Sequence, residues 1–295
     1  MSVAGRIEQR LLRSEAARNY LLISPTMTVL VFALAAPLAL MIMYSFWRES
    51  GLVLDTNPTL AQYAVATTRA IYRVLFLRSL AIASLVTLTT VVLGYPMAYF
   101  LAFRVKRGKF IWLLLLSIPF WTSYLLRVFA WKIILGYEGL INSGLLRLGL
   151  VSQPLDFLLY NATSVVIALT HSYAAFTILP IYVSLEKIDP ALLEAAADLG
   201  DSAFQRFLRI VLPLSLPGVI AAAVLTFVPV LGDYVTPTLV GGSDGLMIAN
   251  MIQVQFGRAN NWPLGAALAV SSMALVAVLI ILFVQAAQLA AAKIR

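Results

Sequence analysis

The chain has 295 residues, of which 61% are hydrophobic and 12% are charged, and its mean hydropathy is +0.92. Soluble domains are about half apolar and about a quarter charged, so this composition excludes a soluble globular domain and predicts a protein whose apolar surface faces membrane lipid. The absence of cysteine excludes disulfides, thiolate metal sites and a cysteine nucleophile, and the net charge of +8 lies near the ends of apolar runs, which gives no support for nucleic-acid binding.

Apolar segments long enough to cross the roughly 30 Å hydrocarbon core of a membrane as helices recur along the chain. The six predicted spans run roughly over residues 21–47, 76–103, 110–135, 161–185, 214–234 and 263–290. The sequence therefore predicts an all-α membrane protein with a single transmembrane domain over residues 21–290. A charged segment over residues 1–20 precedes this domain and lacks a cleavable signal pattern.

Basic residues orient the predicted spans. They cluster before the first span, at residues 104–109, within residues 186–213 and at the end of the chain. Because such residues stay on the cytosolic side, both termini and the loop over residues 186–213 are predicted to be cytosolic. The three outer connections are expected to be either plain linkers or contact surfaces for an external partner. They cover roughly residues 48–75, 136–160 and 235–262.

The segment over residues 189–213, called the 189–213 loop below, has the clearest local signals. Asp189 and Pro190 predict a helix start, with Asp189 as the cap and Pro190 in the first helical position. Gly200 suits the left-handed position after the helix end, and a capping box at residues 202–205 starts a second short helix. The apolar stripe of the first helix consists of Leu192, Leu193, Ala196 and Leu199. Composition alone leaves three partners for this stripe: the bundle, the membrane surface or another protein.

The string EAAADLG at residues 194–200, followed by Ile210 and the Leu-Pro pair at 212–213, resembles the EAA loop of binding-protein-dependent ABC importer permeases. The resemblance implies a type I ABC importer permease fold and a coupling helix that inserts into a groove on a separate ATP-hydrolysing subunit. Ala197 replaces a basic residue that is common in the family, which would soften one contact. The residues implied for coupling are Asp189, Pro190, Leu193, Glu194, Ala195, Ala196, Asp198, Leu199, Gly200 and Phe204.

Two further stretches, WTSYLLR at residues 121–127 and LGDYVTP at residues 231–237, resemble the spermidine/putrescine permease component B branch of that family. Permeases for opines, aminophosphonates and other small organic solutes share much of them, so the solute stays open between these groups. The implied partners are an ATPase dimer, a second homologous permease subunit and an extracytoplasmic solute-binding protein. The implied location is a bacterial inner membrane.

No cofactor, metal site or catalytic residue is expected on this chain. It has no Gly-x-x-x-x-Gly-Lys-Ser/Thr phosphate loop, so ATP and Mg²⁺ are expected on the partner ATPase. An intramembrane hydrolase would need a Gly-x-Ser-x-Gly or a His-Glu-x-x-His pattern, and neither occurs. A channel or secondary transporter would leave the 189–213 loop unexplained.

Polar residues within the spans are candidates for the substrate pathway, because ionisable groups in a membrane default to functional roles. Asp233 beside Tyr234 suits an ammonium ion, although Asp233 could instead cap a helix or pair with an arginine. Arg127 and Trp131 share a face of the third span, where Arg127 would pair with Asp233 or Glu138 or bind an anionic group. The candidates are Asp233, Tyr234, Arg127, Trp131, Tyr124 and His171.

Two of these candidates have a simpler alternative role. His171, the only histidine, would be a hydrogen-bonded packing residue, or else a gate or proton relay. Tyr124 would line a cavity or belong to the aromatic belt at the membrane interface.

Overall fold

The computed structural model describes residues 15–50, 53–158 and 160–294. These ranges are mostly helical, as the sequence predicts. The first half contains α1 (Glu15–Ser45), β1 (Arg48–Ser50), β2 (Val53–Asp55), α2 (Ala61–Thr68), α3 (Ala70–Tyr99), a π-helical turn (Phe100–Arg104), α4 (Lys109–Trp121), α5 (Tyr124–Ile134) and α6 (Leu140–Arg147). The second half contains a 3-10 turn (Asp156–Leu158), α7 (Ala162–Glu186), α8 (Pro190–Asp198), α9 (Ala203–Arg206), a π-helical turn (Phe207–Val211), α10 (Leu212–Gly232), α11 (Val235–Val240), α12 (Ile248–Phe256) and α13 (Trp262–Ile294).

Five helical runs in the described ranges are long and apolar enough to cross a membrane. They are Leu22–Ser45, Ala70–Arg104, Ala162–Glu186, Ala203–Gly232 and Trp262–Ala287. The second run begins at Ala70, earlier than the predicted residue 76. The fifth predicted span, residues 214–234, belongs to a helical run that already begins at Ala203, inside the 189–213 loop. Arg6, Arg10 and Arg13, which helped to orient the spans, lie outside the described residues.

The predicted third span, residues 110–135, is two helices. α4 and α5 meet at 86°, so the prediction of one continuous helix was wrong. Thr122 and Ser123 have non-helical backbones, with ψ of 151° and 130°. The Thr122 hydroxyl donates to the carbonyl of Pro119 at 2.7 Å, which satisfies one acceptor at the end of α4.

The described parts of the connections predicted to be outer contain secondary structure, and one of them corrects the all-α prediction. β1 and β2 form a small antiparallel hairpin with Arg48 opposite Asp55. The other connections contain α6, α11 and α12. Buried side chains organise these segments: Asn142 accepts from the backbone N–H of Leu155 at 2.8 Å, and the Ser79 hydroxyl accepts from the backbone N–H of Ile248 at 2.7 Å. A polar side chain that satisfies buried backbone groups gives a connection a defined conformation.

The centre of the bundle is formed by α3, α7 and α10, which pack closely on one another. A hydrogen bond of 2.8 Å joins the hydroxyls of Thr177 and Thr226, between α7 and α10. Gly218 lets the same two helices approach, because an added Cβ would lie 2.4 Å from Ser184 Cβ and 2.7 Å from the carbonyl oxygen of Pro180. In membrane bundles, small residues let helices approach closely and hydroxyl groups form hydrogen bonds between helices. These contacts hold the helices together, because the hydrophobic effect contributes little to helix association in lipid.

We expect Gly218→Ala to destabilise the purified protein by about 1–3 kcal/mol, because the added methyl group overpacks the interface between α7 and α10. The matched control is Gly232→Ala in the same helix, where an added Cβ meets no atom within 4 Å. Thermal unfolding in lipid nanodiscs would measure both variants. Equal unfolding temperatures for Gly218→Ala and Gly232→Ala would contradict the close contact of α7 and α10 at Gly218.

Candidate functional site

The first helix of the 189–213 loop begins and ends as predicted. Asp189 Oδ1 accepts from the backbone N–H of Ala191 at 2.9 Å, and Pro190 is the first residue of α8. After the helix, Gly200 has a φ of +92°, in the left-handed region that favours glycine. Its N–H donates to the carbonyl of Ala197 at 2.9 Å, and the next N–H along the chain donates to that of Ala196 at 3.0 Å. These bonds satisfy carbonyls at the helix end.

The predicted capping box is present, but the helix that it starts is not short. The Ser202 hydroxyl accepts from the N–H of Gln205 at 3.3 Å, and the Gln205 side chain accepts from the N–H of Ser202 at 2.8 Å. From there the chain stays helical through α9, the π-helical turn and α10. The π-helical turn lies just before Pro213, whose ring would meet the carbonyl of Arg209 in a regular α-helix. The wider turn lets the helix continue past the proline.

The predicted apolar stripe of α8 divides into a packed part and an exposed part. Ala196 is 8% exposed, and Leu193 packs on the cluster formed by α3, α7 and the π-helical turns. Leu199 and Phe204, at the turn between α8 and α9, are 88% and 69% exposed. Glu194 and the rest of the predicted coupling residues, Asp189, Pro190, Ala195, Asp198 and Gly200, are also exposed. The loop thus presents a tip with two large apolar side chains and nearby carboxylates.

Two ion pairs lie within the 189–213 loop and at its base. Arg209 Nη1 lies 2.9 Å from Asp201 Oδ1 across the turn. At its base, Lys109 Nζ lies 2.8 Å from a carboxylate oxygen of Glu186 and also donates to the carbonyl of Ala102 at 3.1 Å. Lys109 therefore joins α4, the π-helical turn after α3 and the end of α7. These two are the ion pairs found within the described ranges.

At the far end of α10, Asp233 caps α11 and lies beside Tyr124. Asp233 Oδ1 accepts from the N–H groups of Val235 and Thr236, at 2.8 and 3.2 Å. Oδ2 accepts from the hydroxyl of Thr236 at 2.8 Å and from that of Tyr124. The Tyr124 and Thr236 hydroxyl oxygens are 2.6 Å apart. Of the roles open to Asp233, the structure therefore places it as a helix cap.

Arg127 does not form either expected ion pair. Its Nη1 donates to the carbonyl of Ser172 and its Nη2 to the carbonyl of Thr122, each at 3.2 Å. Its Nε, together with the hydroxyls of Ser172 and Thr170, is buried without a partner. A guanidinium held by two carbonyls bridges the break before α5 and the middle of α7.

Trp131 and His171 contact each other across the interface of α5 and α7. The indole N–H donates to His171 Nδ1 at 3.2 Å, and the two ring centroids are 5.4 Å apart. His171 therefore forms a hydrogen bond, as expected for a packing residue, but its side chain is exposed on the surface of this chain.

Tyr234 lines a cavity between the helices. The cavity has a volume of about 920 Å³ and lies between α3, α10, α12 and α13. Its lining is almost wholly apolar and includes Gln253 and Ser272 as polar members. Tyr234 is 46% exposed, in contrast to the neighbouring Asp233 at 8%.

Sequence reasoning missed two residues of the polar group. Thr236 lies three residues after Asp233, at the position whose backbone N–H an aspartate cap accepts from, and this spacing was a usable signal. Ser172 carries no such signal, because only the packing of α5 against α7 brings its carbonyl to Arg127.

The chain belongs to the family of binding-protein-dependent transport system inner membrane components, whose model matches residues 90–293. Among relatives, it is 38% identical to the spermidine/putrescine transport system permease protein PotB of Salmonella typhimurium over 80% of this chain and 82% of that protein. It is 33% identical to PotB of Haemophilus influenzae over 90% of this chain and 92% of that protein. The predicted family is thereby confirmed.

Solved structures confirm the fold. The chain resembles a subunit of a bacterial ABC transporter that imports the acidic polysaccharide alginate, with a TM-score of 0.74 at 15% identity. The likeness covers 96% of this chain and 98% of that subunit. A second structure of a bacterial alginate transporter, in complex with an alginate-bound periplasmic protein, gives a TM-score of 0.73 at 16% identity, over 95% of each chain.

We expect Gly200→Ala to weaken the turn after α8 by about 1–2 kcal/mol, because a Cβ is disfavoured at positive φ. An added Cβ meets no atom within 4 Å there, so the effect is confined to the backbone. Hydrogen–deuterium exchange at residues 200 and 201 should then accelerate about 5–30-fold. Gly144→Ala in α6, which also has open space, is the control. Unchanged exchange in Gly200→Ala would contradict the strained turn.

Proposed function

We propose that the chain is the permease subunit of an ATP-driven importer for polyamines, with spermidine and putrescine as the expected solutes. A second homologous permease subunit forms the other half of the pathway. The observation that carries this proposal is the 38% identity with PotB over 80% of the chain. The matched family region, residues 90–293, includes the 189–213 loop and the polar group around Asp233.

The 189–213 loop is the proposed contact with the ATPase. Its exposed tip, Leu199 and Phe204, offers apolar area to a groove, and the exposed Glu194 on α8 adds a charge. Capping at both ends makes the loop stiff, so a displacement of the tip moves α10 directly. ATP and Mg²⁺ belong to the partner ATPase dimer, because this sequence has no phosphate loop.

The proposed topology has six spans, with α4 and α5 counted as one broken span and both termini in the cytosol of a bacterial cell. The basic residues of the sequence support this orientation. A solute-binding protein would then meet the connections that contain the β hairpin, α6, α11 and α12. The secondary structure in the described parts of these connections supports a contact surface rather than plain linkers.

Tyr234 is the pathway candidate that the geometry supports best, since its ring is accessible from a cavity of about 920 Å³. An aromatic face attracts ammonium groups, and an apolar lining suits the methylene chain of a polyamine. Tyr124, Arg127, Trp131 and His171 form the proposed wall of the pathway on α5 and α7.

A second candidate function, import of another small organic solute, is favoured by Arg127. Its guanidinium has a buried Nε without a partner, beside the equally unpartnered hydroxyl of Ser172. Such a group suits the carboxylate or phosphonate of an amino-acid-like solute better than it suits a polycation.

The test of function is uptake by the importer reconstituted in vesicles with its ATPase, second permease subunit and binding protein. We expect ATP-dependent uptake of radiolabelled spermidine, and Glu194→Lys should reduce the uptake rate by about tenfold, equivalent to about 1.4 kcal/mol at the ATPase contact. Arg107→Glu, which reverses an exposed charge on another predicted cytosolic connection outside the 189–213 loop, is the control and should leave the uptake rate unchanged. Uptake of an amino-acid-like solute instead of spermidine would favour the second candidate.

Topology can be tested on the same chain, which contains no cysteine of its own. We expect a membrane-impermeant maleimide to label Asp198→Cys only from the cytosolic side, and Glu138→Cys only from the outside. Both positions are exposed, so a failure to react cannot be attributed to burial. Labelling of both cysteines from one side would contradict the proposed orientation.

A further inference from the structure

Two helical runs are interrupted where they meet. α4 and α5 are separated by the non-helical residues Thr122 and Ser123, and α10 and α11 are separated by Asp233 and Tyr234. α5 packs against α11. Tyr124 is the first residue of α5, and its hydroxyl donates to Asp233, so one side-chain contact joins the two breaks.

The carboxylate of Asp233 has no free acceptor position. Its two oxygens accept from the N–H groups of Val235 and Thr236 and from the hydroxyls of Thr236 and Tyr124. A carboxylate offers about four acceptor sites, so these donors occupy all of them. Asp233 is also 8% exposed, which leaves almost no surface for a solute to touch.

An ammonium group that bound Asp233 would have to displace one of these donors. Displacing the hydroxyl of Tyr124 would remove its contact between α5 and Asp233, and displacing the N–H groups would uncap α11. Either exchange would break a hydrogen bond to a buried carboxylate, which is unfavourable.

We propose that Asp233 is a positioning residue that joins the two breaks, and that it is not a ligand of the transported solute. Through Tyr124 it fixes the start of α5 against the start of α11. Arg127 lies three residues later on α5, so the same contact sets the part of α5 from which Arg127 reaches the carbonyl of Ser172. The interrupted parts of the two runs therefore move as one unit.

This role depends on the shape of Asp233 more than on its charge. Asparagine has the same shape, and its side-chain oxygen can accept from the N–H groups of Val235 and Thr236. Its NH₂ group can donate to the hydroxyl oxygens of Thr236 and Tyr124. A ligand for an ammonium group would instead need the negative charge. Asp233→Asn and Tyr124→Phe therefore separate the two roles.

The transport test rests on the proposed function and uses the assembled importer in proteoliposomes with radiolabelled putrescine. We expect Asp233→Asn to keep the maximal uptake rate within about twofold, whereas Asp233→Ala and Tyr124→Phe lose about tenfold, the effect of removing a charge-assisted hydrogen bond. The opposite pattern, with loss in Asp233→Asn and normal uptake in Tyr124→Phe, would overturn the proposal.

A labelling test does not depend on transport. Val128→Cys places the chain's only thiol in α5, one turn after Tyr124, at a side chain that is fully buried, so labelling requires α5 to move. In this background of the assembled complex, we expect Tyr124→Phe to raise the rate of maleimide labelling about tenfold. Tyr137→Phe, at an exposed tyrosine, is the matched control and should leave the rate unchanged.

Labelling also separates the two proposals. Equal labelling rates for Tyr124→Phe and the unchanged background would overturn the positioning role, whatever the transport result. Faster labelling in an importer whose wild-type form takes up no putrescine would support the positioning role and overturn the proposed solute.

Discussion

The hydrocarbon core of a membrane offers no hydrogen-bond partners, so each interruption of a helix must be satisfied by the chain itself. This constraint explains the polar residues at the helix ends of this protein. Thr122 satisfies a carbonyl at the end of α4, and Asp233 satisfies the first N–H groups of α11. Asn161 does the same at the start of α7, where its side chain accepts from the N–H of Thr163 at 2.8 Å. Polar side chains are thus placed where the helices begin and end.

α10 connects the 189–213 loop to the polar group around Asp233. It continues a helical run that begins at Ala203, next to the exposed loop tip, and ends at Gly232, next to the break at Asp233. The π-helical turn keeps this run intact past Pro213, and Gly218 lets it pack closely on α7. A force applied at the tip would therefore reach the polar group around Asp233 through one helix.

Local signals in the sequence were enough to describe the 189–213 loop. Asp189, Pro190, Gly200 and the capping box at 202–205 each act on backbone groups within a few residues, so their conformations follow from sequence spacing. The continuation of the second helix into α10 was missed, because proline predicts a helix end unless a wider turn absorbs it. The break at residues 122–123 was missed because the apolar pattern continues through it and predicts one unbroken helix.

The sequence by itself determined the membrane class, the family and the loop, because hydropathy and capping depend on composition and short spacings. Only the tertiary structure decided what the polar residues of the spans contact. Asp233 and Tyr124 are far apart in the chain, and their hydrogen bond exists because α5 packs on α11. The same packing gives Arg127 a backbone carbonyl in place of the expected carboxylate. Helix faces in a bundle are matched by shape, and no local pattern encodes that match.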